Sequence, residues 1–421
     1  MRRLFLPLLP LTCIVAAPTA SAQDLDAAIA NALAHAPALE AAKAEETAAK
    51  ARLDRAKAER NPLLRVEGSV GTGRIDNGGF FGIRAANTTP LALQGTAEMP
   101  LYAGGRIGSA IDQAEGDAKI AGFQAEHARL QTIVQAISAY SEVLTARKLD
   151  GRFAQLVKEL TEVERQAGLR FKAGEITNSE LAQARARKAE AEAGKAQAEG
   201  RVASAEAAYE RLTGKPAGNL APLPDLPRTP STLDEALDLA RTSNPSLRQA
   251  RAAVDVAKAS VRAAKAEGMP QVGAFAEAAH VRDQFFPDYR ADSYSVGIRG
   301  KWTLFAGGRV ATQTRAADAQ VDASEARLRQ ADQALTGMVI DAWTGLATAH
   351  RMVDATRLQT EAANEALRGR KLEAQVGSVP VLAVLDAERE AIKADAALLE
   401  ARGQRLIAAW QLNALTGMIE Q

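Results

Sequence analysis

The 421-residue chain has one cysteine, Cys13, and it lies inside an N-terminal stretch with the marks of a secretory leader. Arg2 and Arg3 form a basic start, Leu4 to Ala17 an apolar run, and Ala20-Ser21-Ala22 an A-x-A cleavage site, so residues 1–22 are expected to be a signal peptide. Pro10-Leu11-Thr12 ahead of Cys13 is a poor match to a lipoprotein processing site. A mature chain beginning near Gln23 has no thiol, which excludes disulfides and thiol chemistry as carriers of function. Aromatics are scarce, at 4%. That scarcity, with abundant alanine, fits long, closely packed helices better than a compact mixed core. Charge of one sign is lacking too: 52 basic residues face 51 acidic ones, so overall charge implies no nucleic-acid partner. Beyond the leader no run approaches the ~18 apolar residues of a membrane helix, and a mean hydropathy of -0.17 agrees. His35, His127, His280 and His350 show no H-x-x-H or H-E-x-x-H spacing, and no G-x-S-x-G is present. No metal site or cofactor is therefore expected.

What the sequence does have is a repeat. Leu25-Asp26 returns as Leu233-Asp234, Pro37 as Pro245, Leu39 as Leu247 and Pro62 as Pro270, at an offset of 208. From Leu101 the offset is 203: LYAGGR at 101–106 returns as LFAGGR at 304–309, Gly174 as Gly377, and Leu212-Thr213-Gly214 as Leu415-Thr416-Gly417. The reading is a duplicated chain, with repeat 1 over 23–214, a proline-rich linker over 215–231 and repeat 2 over 232–421.

Within each copy the hydrophobic period changes. Residues 24–60 are helical in pattern, starting at Asp24 as N-cap, and the second copy starts at Thr232 with Glu235 three residues on, a capping-box pattern. Pro37 and Pro245 are expected to break these helices early. Period-two alternation then predicts four strands of about ten residues, at 63–73, 91–101, 271–281 and 294–304. Residues 294–304 alternate most clearly; 271–281 is weakest, because Phe275 falls on the face expected to be polar. Helical pattern follows at 106–173 and 309–376, each a rod on the order of 100 Å. Shorter helices follow the turns, at about 178–213 and 380–415. The glycine pairs Gly104-Gly105 and Gly307-Gly308 fall where a strand gives way to a rod. A phosphate cradle would need Lys-Ser/Thr after the glycines, where the chain has Ile107-Gly108 and Val310-Ala311. A backbone hinge is the remaining reading.

Ten-residue amphipathic strands suit a tilted crossing of a bilayer, yet four cannot close a barrel, and lipid does not tolerate an open sheet edge. Oligomerisation is then required, and a trimer with twelve strands is the smallest comfortable closure.

These features together resemble the outer-membrane efflux proteins of the TolC type. The likeness covers residues 24–417 and rests on the ordered recurrence of Asn244-Pro245-x-Leu247 with its looser partner Ala36-Pro37-x-Leu39, the two L-[YF]-A-G-G-R phrases, the two glycine turns and the two Leu-Thr-Gly endings. The resemblance implies a mainly α protein with membrane β: a homotrimer whose 12-stranded outer-membrane β-barrel continues into a long periplasmic α-helical barrel. It implies no enzyme activity. Its role would be an exit duct for small toxic compounds, working with a periplasmic adaptor and an inner-membrane pump. The alternative is the same duct serving type I protein secretion with an ABC exporter. A rival of another class is a soluble periplasmic coiled-coil scaffold, which would carry charge on both faces of the strands.

The resemblance also places roles on residues. Gly174, Glu175, Ile176 and Thr177, with Gly377, Ser378, Val379 and Pro380, would form the periplasmic tip that meets the adaptor. Glu180 and Asp386 would stand in an acidic ring at the periplasmic aperture; Ala383 and Val379 depart from the family's acidic and basic positions. The alternative for Glu180 is a first-turn acid complementing a helix dipole, and for Asp386 a solvated face residue. Loops 74–90 and 282–293 would face outside. Tyr102 and Trp302 fall at strand ends, where the readings are an aromatic girdle or ordinary strand packing, and Arg106 and Arg309 would lie near the periplasmic membrane surface, solvated in preference to lying against lipid phosphates.

Overall fold

A computed structural model describes residues 23–419 apart from 77, 79–84 and 377. The expected leader and Gly377 therefore lie outside the described residues. The elements repeat in order and in length. Helices α1 (Leu25–His35) and α2 (Pro37–Ala58) are followed by strands β1 (Leu63–Val70), β2 (Gly73–Ile75), β3 (Ala86–Thr88) and β4 (Leu91–Tyr102). Then come α3 (Arg106–Lys172) and α4 (Asn178–Thr213). The second copy gives α5 (Leu233–Ser243), α6 (Pro245–Ala266), β5 (Gln271–Arg282), β6 (Arg290–Lys301), α7 (Arg309–Gln375) and α8 (Val381–Thr416). The paired helices have 11, 22, 67 and 36 residues in both copies.

The recurring phrases have local physical causes. Pro37 and Pro245 each open a helix at its first turn, where the missing N–H is no loss. Asn244 caps α6, its Oδ1 accepting from Ser246 N at 3.0 Å and Leu247 N at 3.3 Å, while its Nδ2 donates to Leu415 O at 3.1 Å. Ala36 in the first copy gives no side-chain cap. Each Leu-Thr-Gly ends a helix: Thr213 and Thr416 are buried and bond back to Tyr209 O and Leu412 O. Gly214 and Gly417 follow at positive φ, and a Cβ there would stand 2.8 Å from the His35 ring and 2.5 Å from Ser243 Cβ. His35 and Ser243 are the equivalent last residues of α1 and α5.

Two compact units are formed, and neither follows the repeat boundary. One comprises the described residues up to His35, Gln135–Leu226 and Arg351–Ile407; the other Ala36–Val134, Pro227–His350 and the described residues from Ala408 onward. In the first unit, α4 buries Ala184, Ala191, Ala198 and Ala205, a seven-residue spacing that makes a narrow seam of small side chains. Phe153 fills the space left by Gly194, whose Cβ would fall 2.4 Å from the ring. The proline-rich linker is docked rather than loose here. Asn219 and Ala221 pair with Gln23, and buried Tyr140 donates its hydroxyl to Ala221 O at 2.6 Å. Burial pushes the Tyr140 phenol up to about 12.

The second unit holds the sheet. Its four main strands are antiparallel in the order β1-β4-β5-β6, leaving β1 and β6 as edges, and β2-β3 form a separate two-stranded ladder. The count of four strands therefore omits a short ladder between Gly73–Ile75 and Ala86–Thr88. The last strand is also displaced: it spans Arg290–Lys301, so Trp302 and Leu304 lie past the hydrogen-bonded ladder. Alternation records which way side chains face, and it continued beyond the point where backbone pairing stops. Against this sheet's foot, α2 packs on α3 through Ala56, Ile107 and Ile111.

Candidate functional site

Three features carry the sequence expectations: the two faces of the sheet, the strand exits and the turns at the other end of the long helices. Pairing registers sort the strands' side chains into two sets. Leu64, Val66, Leu93, Ala97, Ala276, Ala278, Tyr294, Val296 and Ile298 share one face. The other carries Arg65, Glu67, Gln94, Thr96, Glu98, Glu277 and Arg299. The apolar face is bare, with Tyr294 83% and Val296 85% exposed. An apolar surface of this extent, charged only at its loop end by Arg282, Arg290 and Asp292, needs a nonaqueous neighbour on a sheet with free edges.

Phe275 lies on the charged face, against the pattern, and the register explains it. Its cross-strand partner is Gly297, which leaves room for the ring, and the Arg299 guanidinium lies 4.4 Å from its centroid. Arg299 also donates to Glu277 at 2.8 Å and lies 3.9 Å from Glu98. At the loop end of the apolar face, His280 and Asp292 are cross-strand partners with Nδ1 and Oδ1 2.7 Å apart. Beyond them Tyr289 makes edge contacts with Phe285 and Phe286. Among the described residues no group of three or more His, Cys, Asp or Glu side chains could hold a metal ion.

At the strand exits Gly104, Gly105, Gly307 and Gly308 have φ of 62°, 89°, 58° and 82°. All four occupy the left-handed region that favours glycine. Their surroundings differ. A Cβ on Gly104 would meet Met269 Cβ at 2.5 Å and the carbonyls of Ala266 and Pro270 at 3.3 Å, whereas one on Gly307 would meet nothing within 4 Å. Arg106 pairs with Glu59 at 3.0 Å and Arg309 stands 3.9 Å from Glu267. Tyr102 closes β4 and is exposed; Trp302 donates its ring N–H to Gly268 O at 3.1 Å.

At the first turn, Gly174 has φ 75°, and Thr177 and Glu180 form a full capping box. Thr177 N donates to Glu180 Oε2 at 2.7 Å, and Glu180 N donates to Thr177 Oγ1 at 3.3 Å. That backbone bond, followed by the Thr177 hydroxyl, holds the Glu180 carboxyl below its ordinary range. At the start of the second copy the box is altered, because Glu235 accepts from Ser231 rather than reaching back to Thr232. Glu175 pairs with Arg170 at 3.1 Å; Ile176 lies between it and the cap. In the second turn Ser378 N donates to Glu373 O and Ala383 N to Pro380 O, with Val379 half-buried.

Asp386 is joined to a basic partner that spacing alone did not indicate: Arg187 of α4 lies 3.2 Å away. Arg187 also holds Glu190 at 3.0 Å, and Arg389 of α8 holds the same Glu190 at 2.9 Å. This chain of charges spans a cavity of about 230 Å3 floored by Phe153, Leu156, Leu160, Leu385 and Ile392. Glu180 takes no part in it. A second missed group lies in the same unit. Glu388 is mostly buried, Lys371 Nζ lies 3.7 Å from it, and it shares a hydrogen bond with Glu159. Burial first, then Glu159, pushes the Glu388 carboxyl up to about 7, while Glu159 is lowered by the bond from Glu388.

A duplicated chain that pairs a sheet having one charged and one bare apolar face with 67-residue helices defines a class, that of outer-membrane channel proteins. None of the described helices is long and apolar enough to cross a membrane. The sequence pattern of the family described as Outer membrane efflux protein matches residues 28–215 and 236–418, and the chain belongs to that family. Its place is accordingly the outer membrane, with the helical part in the periplasm.

Among known proteins, the Campylobacter jejuni CmeC outer membrane channel superposes with a TM-score of 0.81 at 15% identity, covering 93% of this chain and 85% of that one. Outer membrane efflux protein BepC of Brucella suis is 24% identical over 219 residues, 52% of this chain and 48% of that protein. Alkaline protease secretion protein AprF of Pseudomonas aeruginosa is 29% identical over 203 residues, 46% of this chain and 42% of that protein. The chain spans about half the length of the curated relatives it matches.

Proposed function

We propose that the protein is the outer-membrane exit duct of a tripartite efflux system, passing small toxic compounds from an inner-membrane pump through a periplasmic adaptor to the exterior. The observation that supports this most is the four-stranded sheet with an apolar face charged only at its loop end, a charged opposite face and two unpaired edges. Three copies joining β6 of one to β1 of the next give twelve strands, with the apolar faces in lipid and the charged faces around water. A soluble scaffold has no use for so exposed an apolar face. The alternative cargo, a secreted protein delivered by an ABC exporter, has support from the likeness to a relative named for alkaline protease secretion. The matching likeness to a relative named as an efflux protein favours the first reading.

Planar-bilayer conductance combined with native mass tests the duct. A trimeric mass and discrete conducting steps are expected; a monomer that forms no pore and is recovered from the soluble periplasmic fraction overturns the reading. At the tip, Asp386 and Glu180 of three chains place six carboxylates around one opening, favouring cations. Arg187 offsets part of the Asp386 charge. Glu180→Gln with Asp386→Asn is expected to lower cation selectivity modestly, read as a shift of reversal potential under a salt gradient. An unshifted potential rejects the acidic ring.

A further inference from the structure

On the apolar face the two rows nearest the loops break the pattern. Pairing sets Val70, Leu91, Arg282 and Arg290 side by side across β1, β4, β5 and β6, and Gly68, Leu93, His280 and Asp292 in the next row. His280 and Asp292 satisfy each other at 2.7 Å. The two arginines are direct cross-strand neighbours of one sign, an arrangement that by itself destabilises a sheet. Arg282 Nε has Asp283 at 3.8 Å, and that carboxylate also accepts from Asp288 N at 2.7 Å. Arg290 has no carboxylate partner among the described residues. Two guanidiniums held together on one face, with charge left uncompensated, suit a phosphate, whose oxygens match their forked donors.

Height along the strand identifies whose phosphate it is. All four long strands meet their helices at the opposite end, so this row lies on the side of the membrane away from the periplasm. Arg290 is four residues before Tyr294, where the charge-free band begins. That is about 14 Å along the strand, or about 10 Å in height at a tilt of ~40°, which is the headgroup layer of the outer leaflet. Below it the face is hollow. A trough of about 450 Å3 is floored by Gly95, Ala97, Ala276 and Ala278 and walled by Leu64 and Val296. Its width and its lack of polar side chains suit a hydrocarbon chain. We propose that Arg282 and Arg290 hold the phosphate of an acylated outer-leaflet lipid, one of whose chains lies in the trough. A free phosphate could reach the same guanidiniums but would leave the trough empty. The proposal rests on the duct reading for which face meets lipid.

The test is native mass spectrometry of the full chain, released from detergent after titration with bisphosphorylated lipid A. Saturable binding is expected, weakened about tenfold by Arg282→Gln with Arg290→Gln, since two charge-assisted contacts are lost. Ala276→Leu, which fills the trough and spares both arginines, should weaken it about threefold. Absence of saturable binding overturns the site, as does unchanged affinity in the double glutamine variant. Unchanged affinity in Ala276→Leu overturns the seat for the chain. Inorganic phosphate should displace the lipid no better than sodium chloride of equal ionic strength; stronger displacement overturns the lipid source in favour of a free anion. If the double variant fails to assemble, Arg290→Gln alone should weaken binding about threefold, and no change in that variant is equally fatal. Planar-bilayer conductance of the same preparation separates the two readings: a protein that conducts but does not bind lipid A loses only the site.

Discussion

Replacing Gly104 by alanine should lower the thermal unfolding midpoint of the monomeric, detergent-refolded chain by about 2 to 5 °C, whereas Gly307→Ala should lower it by about 1 to 2 °C. Both residues sit in the left-handed region, at φ 62° and 58°, where an L side chain costs roughly 1 to 2 kcal/mol. Only Gly104 adds a steric penalty. Its new Cβ would lie 2.5 Å from Met269 Cβ and 3.3 Å from two carbonyl oxygens, and relieving that crowding costs about 1 to 3 kcal/mol more. Loss of the helical circular dichroism signal on heating measures both. Equal shifts in the two variants would show that the first exit is not packed as described. Gly104→Ala should cost less in a Met269→Gly background than in the parent chain, because the Cβ contact is then removed and the strained φ is kept.

The second large effect is a dependence on pH. Glu388 titrates at about 7 in the folded chain, raised from an ordinary value of 4.5. A carboxyl whose folded pKa is raised contributes stability that is complete below the unfolded value, and this is lost as pH rises through the folded one. The stabilisation is therefore present at pH 4.5 and gone by about pH 8. Glu159, shifted the other way, is ionised in both folded and unfolded chains above about pH 5, so this window belongs to Glu388 alone, at about 3 kcal/mol or some 3 to 4 °C in midpoint. Glu388→Gln keeps a donor toward Glu159 and cannot ionise, so it should flatten the profile between pH 5 and 8 and exceed the parent chain at pH 8. A parent profile that is already flat would show that the two carboxyls do not share a proton. Lys371→Met should steepen the loss, since the ammonium 3.7 Å from Glu388 is the one cation there opposing the shift.

Helix extents were the most legible part of the fold. The pattern predicted 106–173 and 309–376, and the helices run Arg106–Lys172 and Arg309–Gln375, because glycine pairs and glycine turns punctuate them at both ends. Strand β6 was misplaced for the opposite reason. Arg290 and Asp292 fall on its apolar side near the loop, so composition hid four residues that do pair with Ala279–Arg282. The β2–β3 ladder is only three residues long on each side, too short for alternation to register. At the tip, Thr177-x-x-Glu180 is a legible capping box that the acidic-ring reading passed over. Its geometry gives Glu180 a local role in ending the turn, whatever it does at an aperture. Arg389 and Glu190 are 199 positions apart, and no periodicity within one helix reveals a partner on another. Phe275 was an anomaly in its own strand and became ordinary once Gly297 was known to lie across from it.

The unequal surroundings of the two exits have a consequence for the order of events in biogenesis. Gly104 rests against Ala266, Met269 and Pro270, and the repeat offset makes Ala58, Asn61 and Pro62 the counterparts that Gly307 would rest against. In the proposed trimer those three residues come from a neighbouring copy. A newly made chain can finish its first exit alone, but its second stays provisional until another copy arrives, and the last of the three arrivals completes the circle. The second LFAGGR phrase thus matures on a clock set by chain concentration, and the first on one set by the chain itself.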